Sequence, residues 1–416
     1  MENKTPLYDK FIKFKNLQNA INEYYKNAFS PEIIQAMEFV DKSAISAEVI
    51  AKNVKGSAGK EETVSYSESH FQTNLFYIQK HFEDALKEIK LKENYLLFID
   101  GIDIRPSFVP YNDYLECVKG LANAIWSVNN DFFPTIRDSN RLRVVLLIRP
   151  DIFDSLALQN QNSKVRDNCV LLDWRTTYPN YRASSIFKLV DNLLGCQQEK
   201  KPEKIGDAWD HYMPWARNST EDTNRGLDSS FVSFLRFSLH RPRDIITMLK
   251  IMRENFLQES HLETDVFSQS DFDSAPFRSK FSDYLLGEIK DHLSFYYSPA
   301  DYEIFLKFFE FLYGKNSFTY GEFKNAYNEY INYLTGEQIS RPQFFESAGV
   351  FLQFLYELNV ICCIQETIDN PPPFYFWCFR ERTLSNISPK IKENEKYMIH
   401  YGISKALNTG KRFKKR

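Results

Sequence analysis

Residues 95–103 read Tyr-Leu-Leu-Phe-Ile-Asp-Gly-Ile-Asp and residues 143–151 read Arg-Val-Val-Leu-Leu-Ile-Arg-Pro-Asp, so Asp100, Asp103 and Arg149 stand where apolar runs stop. A carboxylate there can hold a hard cation such as Mg2+, together with waters and the phosphates of a substrate. Asp100 is the candidate metal ligand and first catalytic acid, and Asp103, three residues on, could polarise an attacking water or stand behind the ion. Arg149 is permanently charged and can grip phosphate oxygens through two donors. The run Arg241-Pro242-Arg243-Asp244 opens a helix, and Arg241 and Arg243 could both face an anion in a neighbouring cleft. Each feature has a plainer reading. Asp100-Gly101 could be the turn by which a strand leaves the core, Arg149 could close the sheet through an ion pair with Asp100 or Asp173, and residues 241–244 could be a solvated helix start.

Other chemistries find less support. Lys55-Gly-Ser-Ala-Gly-Lys60 has the flavour of a phosphate-binding loop, but Val54 stands where its first glycine belongs and Glu61 where a Ser or Thr belongs. No strand precedes it, and Glu61 and Glu62 would repel phosphate. The seven histidines are dispersed and form no metal-binding spacing, and no nucleophile-elbow motif occurs. Asp151 and Asp154 could join Asp100 in a two-metal hydrolase or nuclease site, although no nuclease-specific spacing supports it.

The elements that must position these residues follow from the pattern of apolar runs. Continuous apolar runs suit parallel strands buried on both faces, and ligands of such sheets sit beyond the carboxyl ends of the strands. The reading is strand 95–100, helix 111–129, strand 143–149, strand Val170–Trp174 and helix 181–195, an α/β fold with a parallel three-layer sheet. Residues 6–50 read as helices, 52–67 as a polar loop, and Phe71, Leu75, Ile78, Phe82, Leu86 and Ile89 as one helix face. The domain boundaries are 1–195 for the α/β core, 196–276 for an insertion, a helical lid and a linker, 277–400 for a final domain and 401–416 for a basic tail. The final domain reads as three helices, then Val360–Ile364, the turn 369–373 and Phe374–Phe379, the element order of a winged helix.

Composition narrows the setting. A chain of 416 residues is long enough for two or three domains, and a formal charge of −3 gives no prior for nucleic acid as partner. From Pro299 to Thr383, six Lys and Arg face eleven Asp and Glu, a net of −5, which disfavours DNA binding by the final domain. The 36 Phe and 24 Tyr fit either a nucleotide bias in the gene or an aromatic core. Six cysteines without a Cys-x-x-Cys pair suit a reduced, cytoplasmic compartment, and no run reaches the roughly 18 apolar residues of a membrane span. The amino terminus does not read as a signal peptide.

Five segments, in order, carry a resemblance: Leu96–Asp103, Leu146–Phe153, Asn160–Lys164 with Asp167-Asn168, Leu172–Trp174 and His240–Asp244. From about residue 90 to residue 400 the chain resembles bacterial P-loop ATPases of the AAA+/STAND kind. The resemblance implies that Asp100 is the Walker B acid, Asp103 an accessory acid, Arg149 a γ-phosphate sensor, and Arg241 and Arg243 a second sensor at a lid. It implies ATP and Mg2+ as ligands and a C-terminal winged helix. It also implies self-association or a protein partner through the ATPase core, in an ATP-dependent switch of the sort found in anti-phage defence. In that family a strand and a Gly-Lys-Ser/Thr loop precede the first long helix, whereas this sequence begins about where that helix should. Hydrolysis by this chain is therefore expected to be impaired, with a non-catalytic protein- or DNA-binding scaffold as the alternative.

Overall fold

A computed structural model describes residues 15–21, 79–89, 93–106, 108–136, 142–215, 229–258, 266–366, 373–383 and 385–410. The polar loop 52–67 with Lys55–Lys60, most of the 6–50 segment, the helix face from Phe71 to Ile78 and the tail 411–416 lie outside the described residues. The chain divides into two compact units, Met1–Leu158 and Gln159–Arg416.

In the first unit, helices α1 (15–21) and α2 (79–87) precede strand β1 (Tyr95–Ile99). Helix α3 (Tyr111–Ser127) leads to strand β2 (Leu142–Leu146), and the short helix α4 (Pro150–Ser155) follows. Strands β1 and β2 pair in parallel, with Tyr95 opposite Leu142 and Ile99 opposite Leu146. Leu86, Ile89, Phe133, Ile136 and Leu142 form a small core.

The expected three-layer sheet is not seen among the described residues, where the parallel sheet has two strands. Strand β1 consequently leaves Leu96, Leu97 and Phe98 between 56 and 60% exposed, although its sequence suits burial on both faces. The outer edge of β2 is closed by a side chain: Asn129 donates through Nδ2 to the Val144 carbonyl (2.8 Å) and accepts from the Val144 N–H (3.0 Å). One amide thus replaces a strand neighbour at that residue. Val170–Trp174 forms no strand, and Val170 and Leu172 are exposed. That segment is held by side chains instead. Arg175 binds Asp173 and donates to the carbonyls of Arg380 (2.5 Å) and Arg382 (2.7 Å), which fixes the backbone without a ladder.

The second unit is mainly helical. Helices α5 (Gln161–Asn168), α6 (Ser185–Gly195), α7 (Asp207–Tyr212), α8 (Ser230–Phe237), α9 (Pro242–Gln258), α10 (Gln269–Asp273) and α11 (Ala275–Ser294) come first. Then come α12 (Pro299–Phe308), β3 (Ser317–Thr319), α13 (Tyr320–Gly336), α14 (Ala348–Glu357), β4 (Ile361–Gln365), β5 (Phe374–Phe376), α15 (Cys378–Glu381) and β6 (Lys396–Ile399). The helix starts are written locally. Ser298 with Asp301, and Thr319 with Glu322, form reciprocal capping boxes at α12 and α13.

The four strands form an antiparallel sheet in the order β3-β6-β4-β5. The expected pairing of the 360–364 run with the 374 run occurs, with Cys363 opposite Phe376. The sequence reading missed β6, which lies between β3 and β4 and pairs with both. Much of the phenylalanine is core: Phe308, Phe323, Phe345 and Phe351 are fully buried, with the Phe345 and Phe351 rings 4.2 Å apart. All six cysteines are free.

Gly402 sits in the turn after β6. A Cβ there would run into Leu285 and lie 2.5 Å from the Phe237 carbonyl oxygen. Because a backbone atom cannot swing aside, Gly402→Ala should destabilise the second unit by about 2–3 kcal/mol, read as a lower urea midpoint at unchanged slope. An unchanged midpoint would show that the turn relaxes freely.

Candidate functional site

The carboxyl ends of β1 and β2 lie side by side, since Ile99 is opposite Leu146 and the Leu147 N–H donates to the Ile99 carbonyl at 2.8 Å. Asp100 follows the first strand directly. Its Oδ1 accepts from the Gly101 N–H (2.8 Å), and Gly101 takes φ +83°, a conformation that favours glycine. The loop is pinned from α3, where the Tyr114 hydroxyl donates to the Ile102 carbonyl at 3.0 Å. Burial, and then the Asp103 carboxylate, push the Tyr114 phenol up from its ordinary value, so it remains a donor.

Arg149 meets two acids. Its guanidinium binds Asp151 through two donors of one edge, NH2 to Oδ2 at 2.7 Å and Nε to Oδ1 at 3.3 Å. Its NH1 lies 4.0 Å from Asp103 Oδ2. Asp103 and Arg149 are thus within ion-pair reach, and Asp100 sits at the same sheet end. The pairing of Arg149 with Asp100 or Asp173 is not what forms. Asp173 is bound by Arg175, whose hydrogen bonds hold its carboxyl below the usual range. Asp151 is the residue that the sequence reading undervalued. The signal was its position two residues after Arg149, across a proline that starts α4 and fixes the local backbone.

Arg241 and Arg243 belong to the second unit, where they join an acid network of their own. Arg241 donates to both oxygens of Asp244 (2.6–3.1 Å) and to Glu288 (3.0 Å). Asp244 is completely buried and also accepts from the Leu239 N–H (2.9 Å) and the Tyr284 hydroxyl (3.2 Å). Arg243 is exposed and stands 3.7 Å from Glu288. Arg241 thus anchors the start of α9 through Asp244 and Glu288; the resemblance implies a phosphate-sensing role for the same residue.

Could these residues hold Mg2+? Among the described residues no group of three or more His, Cys, Asp or Glu is placed to hold a metal. That arrangement still suits Mg2+, which takes one or two carboxylates and leaves its remaining positions to water and phosphate. Asp100 is exposed and commits one oxygen to Gly101, so the other can serve a hydrated ion. Asp151 is engaged by Arg149, which removes it from a two-metal arrangement. No helix among the described residues is long and apolar enough to cross a membrane.

Comparison of the chain with protein-family models, curated proteins and solved structures finds no match in any of the three.

Proposed function

We propose that this chain is a nucleotide-responsive regulatory protein, an ATP-dependent switch of the P-loop ATPase kind with weak or absent hydrolysis. The observation that carries the reading is the convergence of Asp100, Asp103 and Arg149 at the shared carboxyl edge of two parallel strands, with Arg149 4.0 Å from Asp103. In this reading Asp100 takes Mg2+, Asp103 orients water around the ion, and Arg149 faces the terminal phosphate. The bound ion would neutralise phosphate charge beside the two acids. A cytoplasmic setting, argued from cysteine usage, belongs to the same proposal, as do a protein partner or self-association and a role in anti-phage defence, which rest on the resemblance.

A scaffold reading has one observation of its own. The element order α12-β3-α13-α14-β4 with β6 as a further strand is compatible with a winged helix, and the net charge of −5 over residues 299–383 points to protein rather than DNA as its partner. A salt-dependent mobility shift of duplex DNA would reverse that preference.

Isothermal titration with MgATP tests the switch reading. Wild-type protein should bind, and Asp100→Asn should weaken binding in Mg2+ by about tenfold, roughly 1.4 kcal/mol, while leaving affinity in EDTA unchanged. The change removes a charge from an exposed strand end and no core contact, so folding should be intact. Absence of binding at about 1 mM ligand would reject the reading.

A further inference from the structure

The guanidinium assigned to phosphate is already gripped by a carboxylate. Asp151 presents two oxygens to Nε and NH2 of Arg149, at 3.3 and 2.7 Å, which is the two-point geometry an oxyanion would adopt on the same group. Both side chains are shielded without being sealed, 24 and 20% exposed, so the pair is accessible to a competing anion. The backbone need not move to release it. Asp151 lies in the first turn of α4, and rotation about its own Cα–Cβ bond would free the two donors of Arg149. In the resting arrangement NH1 lies 4.0 Å from Asp103 Oδ2, a contact that can keep Arg149 at the strand end while the pair opens.

We propose that Asp151 is an internal competitor at this site: it occupies Arg149 in the way a terminal phosphate would and is displaced when a phosphate-bearing ligand binds. The inference rests on the strand-end reading of the preceding section and adds its regulation. The resting state is a closed Arg149–Asp151 pair, and the ligand must break that pair before Arg149 can serve it. Displacement leaves a carboxylate beside newly arrived negative charge. The liganded state is therefore favoured when a cation neutralises the cluster, which couples phosphate binding to Mg2+ at Asp100.

Titration of the full chain with MgATP by calorimetry tests the idea. Asp151→Asn keeps the shape of the side chain but removes the charge that competes, and should tighten binding roughly fivefold to twentyfold. Removing any nearby negative charge would also help an anion a little. Asp154→Asn, an exposed acid on the same helix, controls for that and should change affinity less than about twofold. The decisive comparison is made in an Arg149→Gln background. If Asp151 acts by holding Arg149, Asp151→Asn should give no gain there; an undiminished gain would mean a general charge effect and overturn the proposal. Equal affinity of wild type and Asp151→Asn would overturn it while leaving the strand-end reading in place. Binding by neither would remove both. Circular dichroism of each variant confirms that the comparisons are made on folded protein.

Discussion

Replacing Asp244 by Ala should lower the unfolding free energy of the second unit by about 3–5 kcal/mol. Its carboxylate is wholly removed from solvent and is the common acceptor of three groups, the Arg241 guanidinium, the Leu239 N–H and the Tyr284 hydroxyl, while Arg241 also donates to Glu288. Loss of the carboxylate leaves the Leu239 N–H and the Tyr284 hydroxyl without their acceptor, while Arg241 is 38% exposed and keeps Glu288, so the penalty is chiefly that of unsatisfied buried donors. Burial, and then the Asp244 charge, push the Tyr284 phenol well above its ordinary value, which keeps it a donor to Asp244. Urea unfolding followed by circular dichroism should show the lower stability at unchanged slope. Removing both charges, with Arg241→Met and Asp244→Leu together, should recover part of the loss. A shift below about 1 kcal/mol for Asp244→Ala would mean that water reaches the site on little rearrangement.

That network also marks where sequence reading stops. The strand end at Asp100 was legible because an apolar run meeting a charge is a local signal, whereas β2 stops at Leu146, short of the expected 149, and Arg149 stands just before α4. Val170–Trp174 has a comparable apolar start, yet its backbone is claimed by Arg175 through carbonyls more than 200 positions away in the chain. No local pattern reveals such a partner. Strand β6 was missed for a similar reason. Lys396–Ile399 is four residues long and acquires its identity from β3 and β4, which pair with it across long sequence separations. At the candidate site, residue types could suggest that Arg149 meets acids, but whether Asp100, Asp103, Asp151 or Asp173 supplies them is settled by side-chain geometry. Arg241 shows the same limit, since Glu288 lies 47 residues away. The apolar face of β1 is legible in the opposite sense. Its composition is that of an internal strand, and in the described residues it stands beside one neighbour, with Leu96, Leu97 and Phe98 exposed.

Acid should unfold the second unit early, beginning below neutral pH. His240 and His400 are both 2% exposed. In His240 the Nε2 atom faces the Arg380 guanidinium at 3.0 Å; burial, then the charge of Arg380, then His400, push its pKa down to about 3. His400 accepts the Gly402 N–H on Nδ1 at 3.1 Å and hydrogen-bonds the Ser238 backbone; burial, with Arg380 and Arg241 adding to it, brings its pKa down to about 3. The acid facing this cluster is Asp173, which Arg175 already holds.

Both rings are thus neutral in the fold and take up protons near pH 6.5 once unfolded. Between about pH 6.5 and 3 the unfolded chain binds more protons, so stability rises with pH there and is lost as pH falls. The contribution is fully present above about pH 6.5. Each histidine alone can supply on the order of 3–5 kcal/mol at the lower limit, and the two are not additive because they repel each other when charged. Glu322, held down to about 2 by Lys315 and the Thr319 N–H, acts in a separate window that opens only below about pH 4.5. Unfolding free energies measured at pH 7.5, 6, 5 and 4 should therefore fall steadily from the second point onward. His240 has φ +54°, a conformation that Asn also tolerates, so His240→Asn removes one titration while preserving the backbone. That variant should be less stable at pH 7.5 but lose less on acidification, with a shallower slope between pH 6 and 5. Stability that stays flat from pH 7.5 to 5 in the wild-type protein would show that the two imidazoles can be charged without opening the core.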